Sequence, residues 1–117
     1  MKNDKVLDWI RKINDTSEWT ISVCTGSLLL AQTGLLDGKN CTTHWRRKDQ
    51  LRTYNVNVKD ERYVHDGKFI TSAGVSAGID MALYLVSKIA GDNTARLFQK
   101  AIEYDPKPPF PYLSSDK

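Results

Sequence analysis

The chain has 117 residues, of which 26% are charged and 40% apolar; this fits one globular domain that buries roughly two thirds of its unfolded surface, not a disordered chain. Its net charge of +3 is spread along the sequence and offers no nucleic-acid surface. No apolar stretch is long enough for a membrane span, and Met1 to Ile13 alternates charged and apolar residues, unlike a signal peptide, so a cytoplasmic location is expected.

From Asp4 to Asn14 the apolar residues Val6, Leu7, Ile10 and Ile13 recur at helical spacing, and Asp15-Thr16-Ser17 reads as the break. Trp19 to Val23 is β-prone and short, which predicts a buried strand. It runs directly into Cys24 to Ala31, a predicted helix stopped at Gly34. Asn40 to Thr43 reads as a strand and Trp45 to Tyr54 as a polar helix carrying Leu51, with Arg46-Arg47-Lys48 on its solvated face. Val56 to Val58 and Arg62 to His65 are extended in character, and Asp66-Gly67 before Lys68-Phe69-Ile70-Thr71 signals a hairpin. After Ala73-Gly74-Val75-Ser76 a long helix is expected through Ile89 to a stop at Gly91, then a last helix capped by Asp92. Pro106, Pro108, Pro109 and Pro111 end regular structure. Helices and strands in this alternation predict an α/β fold, with residues 1–105 as the domain and 106–117 as an extended tail.

Ser22-Val23-Cys24-Thr25-Gly26 sets a nucleophile-type residue between small residues at minus two and plus two, on a predicted strand-to-helix junction. Such a turn is sharp, and bulky flanking side chains would collide with backbone. The amides of Thr25 and Gly26, at the start of the helix, are expected to lack helical partners and to face the thiol, favouring negative charge there. The competing reading makes Cys24 a small buried core residue. For Cys41 nothing indicates more than core packing, and without a secretory signal both cysteines are expected as thiols. No zinc-type spacing exists, so no metal or cofactor is expected. His44, at the end of a predicted strand, either reaches the thiolate or acts as a structural hydrogen bonder. His65 is expected to be merely exposed. Ser72 to Ser76 either forms a loop over the thiol or reflects close backbone packing.

Three blocks, Ser22 to Ala31 with Gly34 to Gly38 and Thr42 to Trp45, Ile70 to Leu83, and Ile102 to Phe110, resemble the ThiJ/PfpI superfamily in one register over nearly the whole chain. They are most similar to its isonitrile hydratase branch and to the amidotransferase-like domain of AraC-type regulators. The resemblance implies an α/β, class I glutamine amidotransferase-like (flavodoxin-like) sandwich of which this sequence is the C-terminal part, lacking the N-terminal strands. It implies a cysteine enzyme, a lyase hydrating isonitriles to N-substituted formamides, with Cys24 attacking the terminal carbon to give a thioimidate that water releases. Thr25 would line the site; Gly26, His44, Ser72, Gly74 and Val75 are the candidate substrate or oxyanion contacts. Superfamily peptidases often carry histidine directly after the cysteine, and Thr25 stands there instead, which argues against peptidase and glyoxalase-like chemistry. The family's acid comes from the end of the first strand, and no carboxylate here, among them Glu18, Asp37, Asp80 and Glu103, matches its position. The alternative function is a non-catalytic ligand-sensing or dimerisation domain. The expected partners are a small-molecule substrate and either a second copy or a chain supplying the missing strands.

Overall fold

The structure, a computed structural model, describes residues 4–113. The expectations for Met1 to Asn3 and for the last four residues of the tail lie outside them. Helix α1 (Asp4–Thr16) leads into strand β1 (Thr20–Ser22), which turns into α2 (Gly26–Gln32). There follow β2 (Asn40–Cys41), a single 3-10 turn (Trp45–Arg47), α3 (Lys48–Leu51) and β3 (Asn57–Val58). A hairpin, β4 (Tyr63–Asp66) and β5 (Phe69–Ser72), precedes α4 (Val75–Ala90) and α5 (Asp92–Ala101). The described part of the proline tail carries neither helix nor strand.

Two sheets hold the frame. One has the order β1-β5-β4, with β1 parallel and β4 antiparallel to β5; the other is the parallel pair β2-β3. Strand β5 is central in its sheet, and all four of its residues are buried. The hairpin loop is Gly67-Lys68, and Gly67 takes φ +64°, a left-handed conformation that glycine adopts without a Cβ clash. The Asp66 carboxylate then accepts the Asn40 N–H at 2.7 Å and ties the hairpin to β2.

A cluster of core residues gathers around α2 and β2, formed by Leu28, Leu30, Ala31, Leu36, Cys41, Leu51 and Phe69, while Ile70, Ala77 and Met81 are buried between β5 and α4. Leu51 is fully buried as its place in a polar segment predicts, but the predicted helix over 45–54 is divided into a 3-10 turn and one α turn. Its basic run is split too: Arg46 and Arg47 are solvated, whereas the Lys48 ammonium pairs with Asp60 at 2.9 Å.

Three expectations are corrected. Strand β1 is only partly buried: Ser22 is buried but Ile21 is 45% exposed, because β1 is an outer strand of its sheet among the described residues. Asp92 does not cap α5; Gly91, at φ +94°, holds that position, and Asp92 sits in the first turn. His65 is exposed but held: Nδ1 meets the Tyr84 hydroxyl at 2.6 Å, Nε2 meets the Gly67 carbonyl at 2.8 Å, and Trp19 packs on the ring. The hairpin and α4 supply those partners across the fold, which local sequence does not reveal.

Candidate active site

The backbone between β1 and α2 reverses within three residues. Cys24 takes φ +54°, Thr25 is already helical at φ −77°, and α2 begins at Gly26. A non-glycine residue in the left-handed region costs about 1–2 kcal/mol, and such strain concentrates at functional positions. The flanking small residues face each other across the bend, since a Cβ on Gly26 would lie 3.5 Å from the Ser22 Cβ. Cys24 is a free thiol and only partly buried, so the core-residue reading does not describe it.

One expectation about the amides is corrected. The Gly26 N–H donates to the Val23 carbonyl at 3.0 Å, closing the turn, so it does not face the thiol as a free donor. The Thr25 N–H has no hydrogen-bond partner among the described residues. Because α2 spans only seven residues, its dipole adds little, and that amide is a backbone donor left unpaired beside Cys24.

A set of buried hydroxyls supports the bend from below. Ser27 donates to the Thr42 carbonyl at 2.7 Å, which leaves Ser22 as the donor in the Ser22–Ser27 contact of 2.7 Å. Thr43 donates to the Cys24 carbonyl at 2.7 Å, and Ser72 to the Ser22 carbonyl at 2.9 Å. The Thr42 N–H donates to the Thr71 hydroxyl at 2.8 Å. Ser27, Thr43 and Ser72 are fully buried, where an unmade hydrogen bond costs about 1–3 kcal/mol; the buried Thr42 takes part through its backbone, its own hydroxyl having no partner among the described residues. Strand β5 and the segment after β2 therefore fix the strand end and the cysteine carbonyl. Ser27, Thr43 and Thr71 were not expected from the sequence; short hydroxyl side chains clustered beside apolar strands were the available signal.

The other candidates separate. Ser72 holds β1 to β5 and has no exposed surface to offer a ligand. Val75 projects into solvent at the start of α4 and lines an apolar groove with Ile79 and Phe98. His44 and Gly74 share a cleft of about 560 Å³ with Trp45, Arg62, Ser76 and Tyr112. Cys24 is not in the lining of that cleft; Thr43, which precedes His44, links the two through its bond to the Cys24 carbonyl. The His44 Nδ1 accepts the Arg46 N–H at 3.1 Å, capping the 3-10 turn, so the structural role foreseen for this ring is present.

No carboxylate hydrogen-bonds the Cys24 thiol among the described residues. Asp80 instead accepts from Arg62 at 2.8 Å and from the Tyr104 hydroxyl at 2.7 Å, joining α4 to the residue before β4 and to the segment after α5. That hydrogen bond to Asp80 is also what raises the Arg62 and Tyr104 pKa values above their usual range. Cys41 is sealed in the core, and burial, aided by the Asp66 charge, pushes its thiol up to about 11. It is inert at neutral pH. No group of acidic, histidine or cysteine side chains able to hold a metal is found among the described residues, and no described helix is long and apolar enough to cross a membrane.

With this geometry in place, comparison with known proteins locates the chain. The isonitrile hydratase of Pseudomonas putida is 44% identical over 116 residues, 99% of this chain and 51% of that protein. The HTH-type transcriptional regulator CdhR of Pseudomonas aeruginosa is 37% identical over 92 residues, 77% of this chain and 27% of that one. A crystal structure of a ThiJ/PfpI family protein from Pseudomonas syringae superposes with a TM-score of 0.88 at 36% identity, covering 92% of this chain and 45% of that chain. This chain thus spans about half the length of the hydratase relative it matches. The DJ-1/PfpI family matches residues 1–88, three quarters of the sequence and the whole of the elbow, its hydroxyl support and most of α4; the chain belongs to the DJ-1/PfpI family.

Proposed function

We propose that this chain carries the cysteine centre of an isonitrile hydratase-like reaction, RNC + H2O → RNHCHO. The Cys24 sulfur adds to the terminal isonitrile carbon and that same carbon takes a proton, giving the thioimidate RN=CH–S–Cys24. Water then adds to that carbon while the nitrogen takes a proton, the C–S bond breaks, the thiol is restored and the formamide RNHCHO leaves. The Thr25 amide stabilises charge developing near the sulfur. The observation that carries this reading is the strained, partly exposed Cys24 on the strand-to-helix bend. It is supported by 44% identity to a protein with that activity, along 99% of this chain.

The test is direct. The full chain, alone and co-expressed with the portion of the Pseudomonas putida enzyme that it does not match, is given an aryl isonitrile, and formamide is measured. Turnover is expected in at least the co-expressed sample, and Cys24→Ala should remove it. Equal rates for the parent and the Cys24→Ala protein overturn the catalytic assignment.

A second reading, ligand sensing without turnover, is favoured by the 37% identity to a transcriptional regulator and by the lack of a carboxylate at the thiol among the described residues. It predicts that isonitrile or a related small molecule binds equally well to Cys24→Ala and is recovered unchanged.

A further inference from the structure

Gly74 has no local reason to be glycine. Its backbone is extended, at φ −96° and ψ −173°, which any residue adopts, and a Cβ built there meets no atom within 4 Å. What the missing side chain does is keep open the cleft that Gly74 shares with His44. At about 560 Å³ this cleft falls in the range of small-molecule sites. Its walls continue the segments that hold the elbow: Thr43, before His44, donates to the Cys24 carbonyl, and Ser72, before Ala73, donates to the Ser22 carbonyl.

Charge and ring content narrow the ligand. Lys48 and Arg62 in the lining are already paired, Lys48 with Asp60 at 2.9 Å and Arg62 with Asp80 at 2.7 Å. Glu61 adds a negative charge, so the lining does not favour an anion. Two aromatic rings line the same cleft: Trp45, 54% exposed, and Tyr112, 85% exposed. Stacking with His44 and the Arg46 guanidinium over the indole hold Trp45 in place while leaving that much of it open.

Tyr112 reaches the cleft from the tail. The tail leaves α5 at Tyr104, whose hydroxyl donates to Asp80 at 2.7 Å and whose carbonyl accepts from Gln99 at 3.0 Å. Asp80 is also the partner of Arg62 in the cleft wall, so one network fixes the tail's base and the cleft together. Pro106, Pro108, Pro109 and Pro111 then stiffen the path to Tyr112, since proline-rich segments are semi-rigid spacers. A tyrosine delivered in this way loses little freedom when a ligand packs against it.

We propose that this cleft takes the ring of an uncharged, ring-bearing isonitrile, with Trp45 and Tyr112 as its aromatic contacts and the space over Gly74 as its seat. The isonitrile group rests on the hydratase reading; the ring subsite does not. The tail thereby belongs to the site and sets its selectivity.

Formamides of the kind the reaction releases serve as probes, because their binding needs no chemistry at Cys24. The full chain is titrated with N-phenylformamide and with N-methylformamide, affinity is measured by calorimetry, and the Trp45 indole N–H is followed by NMR. N-phenylformamide is expected to move that signal and to bind about tenfold tighter. Trp45→Ala and Tyr112→Ala, both at exposed positions that the fold does not need, should each weaken it by about three- to tenfold and leave the methyl compound unchanged. Gly74→Leu fills the cleft and should weaken N-phenylformamide by about tenfold or more with helix content retained. Equal affinity for the two formamides overturns the proposal, as does N-phenylformamide binding that is undetectable or that all three variants leave intact. If aryl isonitrile is not turned over while N-phenylformamide binding still depends on Trp45, the subsite stands and only the reaction is removed. Turnover of phenyl and methyl isonitrile at equal kcat/KM, unchanged by Tyr112→Ala, keeps the reaction and removes the subsite.

Discussion

At Cys24 the backbone and the chemistry make opposing demands. A φ of +54° suits glycine, while a nucleophile needs a side chain. The opposition gives a test that does not depend on turnover. In an ordinary site alanine is more stable than glycine by up to about 1 kcal/mol, because glycine loses more conformational freedom on folding. At this position the left-handed penalty of about 1–2 kcal/mol should reverse the order. Cys24→Gly is therefore expected to be about 1 kcal/mol more stable than Cys24→Ala in urea denaturation, with both lacking the reactive sulfur. If the alanine variant is the more stable, the bend is relaxed and the argument for a strained elbow is lost.

At the scale of elements, the bend works because separate segments hold it. Thr43, following β2, donates to the Cys24 carbonyl, and Ser72, ending β5, donates to the Ser22 carbonyl. Thr43→Val keeps the shape and leaves that carbonyl without its donor, which should cost about 1–2 kcal/mol. It should also change the rate at which iodoacetamide alkylates Cys24, because the cysteine is no longer pinned. Thr43→Ser should restore both, and a valine variant as stable as the parent with an unchanged alkylation rate would show that the hydroxyl does not hold the bend. The sequence made much of this architecture legible. Periodicity placed α1 and α4, and the Asp66-Gly67 signal placed the hairpin, because those choices are set within a few residues. Cys24 was legible as a candidate for the same reason: small neighbours at fixed spacing are a local requirement. What stayed hidden depends on contacts distant in sequence. The hydroxyl network joins residues up to fifty positions apart, the partners of His65 come from two other segments, and the exposure of β1 depends on which strands pair with it. The division of 45–54 into two short pieces was hidden too, since a polar segment with Leu51 as its one buried residue carries little periodic signal.

Across the whole molecule, apolar surface falls into two parts with different fates. The cluster around Leu36, Cys41 and Leu51 is sealed, whereas that around β1 is open. The sealed part should set global stability, and Cys41 lets it be read by pH. Its thiol titrates near 9.0 when solvated and is pushed up to about 11 by burial and the Asp66 charge. The folded state thus favours the protonated form. Its contribution is fully present below pH 9 and is lost as pH rises towards 11, because the unfolded chain releases this proton first. At about 1.4 kcal/mol per unit, the loss by about pH 10.5 is on the order of 2 kcal/mol. Tyr63, raised mainly by its own burial, pulls the same way, so the measurement must be a difference between two proteins. Cys41→Ala should be less stable than the parent at about pH 8, because it leaves a small cavity in a fully buried site. The gap should close or reverse by about pH 10.5, since only the parent carries the thiol. Denaturant titrations of both proteins at the two pH values decide the matter: a gap that stays constant would mean that Cys41 ionises as readily folded as unfolded, and that the core around it admits water.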